Sequence, residues 1–264
     1  MAVFQITFFS GALRRQVNLA AVVPMDVLPG MKAPEIFKPA YLLHGFAENQ
    51  TTWLTNVPLP RLAEKYGYAM FMPCGENSFY LNDSVLDYRY EDFICEELPA
   101  FCRTLFPLSC RREDTVIAGN SMGGFGALHN GLSRPDIFGN IIALSCPVNI
   151  VEEASQMKEG EKDADGIGSC EYYRHIFGNP ATDLRSNTGP RDLVKKFAKT
   201  PETLPRIYLA CGTADFLADS NRDFHVYLES LQIKHEYWEE PGFHDWNLFS
   251  ACFSKALERI NENQ

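Results

Sequence analysis

From residue 40 onward, short runs of β-forming residues alternate with stretches of helical periodicity, and this alternation restricts the fold more than any other feature. The β-type runs fall at residues 40–43, 69–72, 115–118, 140–144, 206–210 and 235–239, and helical patterns occupy 60–66, 90–105, 123–132, 221–231 and 245–261. Strands separated by helices join through right-handed crossovers, which builds a parallel sheet covered on both faces. Two earlier runs, at 3–9 and 17–23, flank a polar stretch short enough for a hairpin and predict an antiparallel start. The expected class is therefore α/β, with a mainly parallel eight-stranded sheet and helices on both faces. In such sheets reactive groups collect in loops beyond the carboxyl ends of the strands.

The stretch 147–205 breaks the alternation. It holds a polar run at 152–168, an aromatic cluster (Tyr172, Tyr173, Phe177) and a segment punctuated by Gly and Pro before Leu193. It predicts an insertion of short helices, either a small cap that shapes a pocket over the carboxyl edge or a packing excursion. With that insertion included, 264 residues at 45% hydrophobic and 22% charged describe one globular domain, 1–264, with a sizeable core.

A formal net charge of −10 provides no overall positive field, so nucleic acid is not an expected partner. The first residues lack a basic stretch followed by a long apolar one, and no run approaches the roughly 20 apolar residues that span a bilayer. The expectation is a cytoplasmic protein without membrane association. Eight cysteines without a CxxC pair give no disulfide framework, and several, such as Cys146 and Cys211 at the ends of apolar runs, read as buried thiols. Without an HExxH, a zinc-spaced Cys/His pair, a calcium loop, a P-loop or a full GxGxxG after a strand, neither a metal nor a cofactor is expected. Composition leaves a homo-oligomer open.

The strongest motif is Gly119-Asn120-Ser121-Met122-Gly123, which follows the run at 115–118 and opens into a helical pattern. A sharp strand-to-helix turn strains the serine backbone and crowds its neighbours, so glycine is needed on either side and the hydroxyl stands clear of the sheet. Ser121 is the candidate nucleophile. A serine hydroxyl needs a base with a pKa near working pH, which points to histidine. Of six histidines, His244 alone lies after the serine in a loop between the last strand and the last helix. The acid that orients it must fall between serine and histidine at a strand end. Asp215, in Gly212-Thr213-Ala214-Asp215, fits, with Asp219 as the alternative and helix capping as a plainer role for either.

Attack on an ester carbonyl creates an oxyanion, which preorganised backbone donors stabilise. The amide of Met122 and that of Phe46, in His44-Gly45-Phe46 after the run at 40–43, are the candidate oxyanion hole. Trp53, Phe125 and Trp246 are candidate aromatic walls of a substrate pocket, with core packing as the competing role for each.

Taken together, Leu42-Leu43-His44-Gly45, Gly119-Asn120-Ser121-Met122-Gly123-Gly124, Cys211-Gly212-Thr213-Ala214-Asp215 and Gly242-Phe243-His244-Asp245-Trp246 resemble the esterase D / tributyrin esterase family. That family includes S-formylglutathione hydrolases, some acetyl-xylan and feruloyl esterases, and antigen-85 acyltransferases. The resemblance implies the α/β-hydrolase fold and cofactor-free hydrolysis of short-chain acyl or aromatic esters, such as acetyl, butyryl or feruloyl, through an acyl-serine intermediate. Its substrate would be a small-molecule or oligosaccharide ester. Two rivals remain at this level: an acyltransferase with the same triad, and a non-catalytic binding protein on the same fold. The stretch 152–187 stands outside the resemblance, and acyl preference is expected to depend on it.

Overall fold

The computed structural model describes residues 1–26, 34–83, 85–162, 168–178 and 189–262. The chain begins with an antiparallel hairpin, β1 (Ala2–Ser10) and β2 (Arg15–Val23), followed by β3 (Lys38–Leu43). Helices α1 (Thr52–Asn56) and α2 (Leu59–Tyr66) lead to β4 (Tyr68–Pro73) and a small hairpin, β5 (Asn82–Asp83) with β6 (Tyr88–Arg89). The helical pattern at 90–105 is one continuous stretch in three parts: α3 (Tyr90–Asp92), a π-helical turn (Phe93–Glu97) and α4 (Leu98–Leu105). Pro99 has no amide hydrogen to donate, and its ring would press on the carbonyl four residues back; the widened turn directly ahead of it relieves both problems.

Strands β7 (Val116–Asn120) and β8 (Asn140–Leu144) flank α5 (Met122–Ser133). Between β8 and β9 (Arg206–Gly212) the described residues include α6 (Ile150–Gln156), α7 (Cys170–Phe177) and α8 (Pro190–Val194). The chain ends with α9 (Ala218–Ser230), β10 (Glu236–Glu240) and α10 (Trp246–Glu262).

Eight strands form one sheet in the order β1-β2-β4-β3-β7-β8-β9-β10, antiparallel at β1/β2 and β2/β4 and parallel from β4 onward. The two-residue side-chain period sorts each central strand between two cores. Tyr41, Leu43, Ile117 and Ile141 pack on one face with Phe93, Leu98 and Leu128; Ala40, Leu42, Val116, Ala118 and Ile142 pack on the other with Trp53, Leu62, Phe253 and Leu257. Edge strand β1 instead alternates half-buried and exposed residues, because one of its faces meets solvent. Burying each large apolar side chain contributes roughly 1.5–3 kcal/mol, so β3, β7 and β8, buried along nearly their whole length, fix the floor on which the site stands. All eight cysteines are free thiols. Among the described residues, no helix is long and apolar enough to cross a membrane.

Candidate active site

At the end of β7 the chain turns through Ser121, whose φ of +52° and ψ of −121° are rarely adopted by a side-chain-bearing residue, and enters α5 at once. Such a conformation costs on the order of 1–3 kcal/mol and persists only where the surroundings impose it. They do so here. The Ser121 amide donates to the Leu144 carbonyl at the end of β8 (2.8 Å), and the Ser121 carbonyl accepts the Phe125 amide (3.1 Å). A Cβ at Gly119 would stand 2.0 Å from the Gly123 oxygen, and one at Gly123 would stand 2.1 Å from the Leu43 oxygen, so both positions require glycine.

His244 and Asp215 come from adjacent strand ends. The loops after β9 and β10 are stitched together by the Thr213 amide on the Glu240 carbonyl and the Ala214 amide on the Gly242 carbonyl, both 2.9 Å. Asp215 is buried, and its carboxylate oxygens lie 2.9 and 3.1 Å from His244 Nδ1. It also accepts the Leu217 amide (2.9 Å). Burial works to raise the Asp215 pKa, but hydrogen bonding, from His244 first and also from the Leu217 amide, outweighs it and holds the carboxyl below its ordinary value. Nδ1 on a carboxylate carries the ring proton, which leaves Nε2 as a free base. Asp219 is elsewhere: it sits on α9, exposed and bonded to Arg222 (2.8 Å).

The loop after β3 is held at successive residues. Gly75 donates its amide to His44 Nε2 (2.9 Å), so His44 Nδ1 is the protonated nitrogen and donates to the Gly45 carbonyl (2.7 Å). Burial lowers the His44 pKa and keeps the ring neutral. Tyr80 donates its hydroxyl to the His44 carbonyl (3.0 Å), Gly45 donates to Glu48 (2.7 Å) and Ala47 donates to Asn77 (2.8 Å). The Phe46 amide therefore lies between two anchored amides. Met122 is the first residue of α5, where an amide has no acceptor within the helix.

Ser121 and His244 line one cleft of about 660 Å³, walled by Phe46, Phe216, Trp246 and Phe249. Among the described residues, its charged lining consists of two carboxylates, Glu48 and Asp245. The Phe216 ring stands 4.6 Å from the His244 ring and is 60% exposed, placing it at the mouth. Two of the expected walls are core instead. Trp53 is fully buried, with its indole N–H on the Leu43 carbonyl (3.0 Å) and its ring against Trp246 and Phe253. Phe125 is fully buried against Phe79, His129 and Phe177, because α5 is enclosed on every side from Met122 to Leu132. Of the three, only Trp246 reaches the cleft. Sequence reasoning missed Glu48, Phe216 and Phe249; Phe216, adjacent to the candidate acid, was the one with a local signal.

Residues 10–260 match the putative esterase family. The chain belongs to that family. This esterase is 37% identical over 267 residues to an acetyl esterase of Caldicellulosiruptor saccharolyticus, covering 99% of each chain. Its structure superposes on a fluorophosphonate-binding serine hydrolase of Staphylococcus aureus with a TM-score of 0.83 at 26% identity, and on an S-formylglutathione hydrolase of the same organism with a TM-score of 0.81 at 25% identity, covering 98% of each chain in both cases. The esterase has the α/β-hydrolase fold, and its catalytic class is that of the serine carboxylesterases. The resemblance read from its four motifs agrees with these relatives.

Proposed function

We propose that Ser121, His244 and Asp215 are the nucleophile, base and orienting acid of an esterase for short, uncharged acyl groups, with acetyl foremost. The observation that carries this reading is the His244 Nδ1 contact with a buried carboxylate, in a cleft shared with a serine held in a strained strand-to-helix turn. His244 Nε2 takes the Ser121 proton as the hydroxyl attacks the ester carbonyl. The oxyanion accepts hydrogen bonds from the Met122 and Phe46 amides, each worth about 3 kcal/mol at the barrier. Collapse expels the alcohol with the proton returned by His244, and water then repeats the sequence on the acyl-serine.

The cleft supports the substrate class. Aromatic walls suit an apolar acyl or alcohol group, and the carboxylates Glu48 and Asp245 in the lining disfavour an anionic ester. The relative named an acetyl esterase points to the same short acyl group. Helix α7 supports a capping role for the segment 147–205: the Tyr172 ring meets Phe46 edge-on at 5.7 Å, and its hydroxyl donates to the Asn77 carbonyl (2.5 Å).

The test is hydrolysis of p-nitrophenyl esters from acetyl to octanoyl, with methyl ferulate and a succinyl ester added, by the wild type and Ser121→Ala. The expected result is a loss of about 10⁴-fold or more in kcat on the variant, a preference for the short acyl groups, and a succinyl ester about tenfold poorer than butyryl. A wild type inactive on every ester, or an unimpaired variant, would overturn the assignment.

A further inference from the structure

We propose that Glu48 is a positioning residue, whose carboxylate locks the loop carrying the Phe46 amide against both the nucleophile turn and the base loop. The inference rests on the triad and oxyanion hole proposed above. Its basis is a convergence of three donors on one side chain. Glu48 Oε2 accepts the Gly45 amide at 2.7 Å and Asn120 Nδ2 at 3.2 Å, and Oε1 accepts the Trp246 indole N–H at 2.8 Å. These donors belong to the loop after β3, the end of β7 and the start of α10, separated from Glu48 by 3, 72 and 198 residues along the chain.

The carboxylate chemistry matters. An ionised carboxylate only accepts, with about four lone-pair sites, so it can hold three N–H groups at once. Bonds to a charged acceptor are also roughly twice as strong as neutral ones. A glutamine side chain has one accepting end and would turn N–H groups toward at least one of these donors. The fit is close as well: a Cβ at Gly45 would stand 2.9 Å from Asn120 Nδ2 and 3.1 Å from Glu48 Oε2, so these side chains lie directly on the Gly45 backbone.

Gly45 immediately precedes Phe46, and Asn120 lies two residues before Met122. The bonds from Gly45 and Asn120 to a single oxygen therefore set the separation of the two oxyanion donors. Trp246, two residues beyond His244, ties the base loop to the same point. Glu48 contacts none of the reacting atoms in this scheme. Its effect falls on an interaction that exists only once the oxyanion forms, so its loss lowers kcat rather than raising KM.

The test compares full-length wild type, Glu48→Gln and Trp246→Phe on p-nitrophenyl acetate, with inhibition by an alkyl trifluoromethyl ketone, which adds to the serine as a tetrahedral oxyanion. For Glu48→Gln the expected result is a kcat about 10- to 100-fold lower, KM within about twofold, and ketone affinity falling in step with kcat/KM. Trp246→Phe keeps an aromatic ring, though a smaller one, and deletes the indole donor, and should lower kcat by about two- to fivefold. A folded Glu48→Gln with kcat close to wild type, or a loss confined to KM with ketone affinity unmoved, overturns the proposal. If Glu48→Gln does not fold, Trp246→Phe decides: an unchanged kcat overturns it. Wild-type inactivity or an unimpaired Ser121→Ala would sink the triad reading instead. An active wild type with a dead Ser121→Ala and a normal Glu48→Gln sinks only this inference.

Discussion

Where β3, β7 and β8 end, the chain has no spare volume: Gly119, Gly123 and the Leu43 carbonyl are pressed backbone to backbone, and Ser121 is pinned to Leu144 through its amide. The described part of the segment 147–205 touches one wall of the cleft, Phe46, through Tyr172, and is held on different terms. Its helix α7 is held by side chains: Tyr173 and Phe177 pack in the core against Phe79 and Phe125, the Tyr172 hydroxyl donates to Asn77, and the His175 ring meets Asp83 (2.7 Å). At Gly189, which precedes α8, an added Cβ would find nothing nearer than 3.8 Å. The contrast teaches that the candidate nucleophile turn is placed by backbone packing that leaves no room for a side chain, while the described part of 147–205 is held by side-chain contacts.

The comparison breaks most sharply at glycine. Gly123→Ala puts a methyl group 2.1 Å from the Leu43 oxygen and 2.7 Å from the His44 oxygen, backbone atoms that cannot swing aside. We expect destabilisation beyond about 4 kcal/mol, in the range reserved for severe core defects, and with it loss of esterase activity. Gly189→Ala, with a φ of −65° and open space, should stay within about 0.5 kcal/mol of wild type. Thermal unfolding of the two variants measures the difference; equal losses would erase the distinction between the regions.

Next in size is Asp215→Asn. The asparagine keeps the shape of the buried side chain but can present an N–H to His244 Nδ1, which favours the tautomer with its proton on Nε2 and disables the base. A loss of roughly 10⁴-fold in kcat is expected, whereas Asp219→Asn, on an exposed surface pair, should leave the rate unchanged. Reversal of the two results would move the acid to α9 and leave the Asp215 contact as packing.

Much of this was legible in the sequence, for reasons that also explain what was not. The central strands announce themselves because a strand buried on both faces is a continuous β-rich run with a helix after it, and the ends of all eight strands lie within two residues of the expected positions. The positions of Ser121, Asp215 and His244 beyond strand ends were readable because a turn between a strand and a helix restricts which residues can occupy it. The short elements α1, β5 and β6 carry too few residues to show a period. Trp53 and Phe125 were open because their neighbourhood is legible while their direction is not. Helix α5 is apolar on all sides, so no stripe marks which residues face the cleft, and Trp53 turns its indole back onto Leu43. Glu48 gave no signal at all, since a carboxylate in a polar loop normally faces water and its partners lie as far as 198 residues away.

The smallest expected effect separates the two regions by acid. His44 accepts the Gly75 amide on Nε2, and a protonated ring would present a second donor there and lose that bond. Its folded pKa lies below the ordinary histidine value, chiefly through burial. Between the folded and unfolded values the unfolded chain binds more protons, so acid favours unfolding; this contribution is complete above about pH 6.5 and is lost as the pH falls through the folded pKa. His235, lowered by burial as well, adds to the same window. The link from α7 to Asp83 behaves otherwise. Burial raises the Asp83 carboxyl, but the Leu86 and Val85 amides and His175 hold it below its ordinary value, so its contribution persists until the pH drops below about 4. Thermal midpoints recorded from pH 7.5 to 3 should therefore fall in two stages. In His44→Gln, which cannot titrate, the first stage should be shallower, with His235 supplying the remainder, and the second should be unchanged. A first stage as steep as that of the wild type would mean that His44 protonation does not strain the loop, and that its hold on the oxyanion side depends on the carboxylate and amide contacts alone.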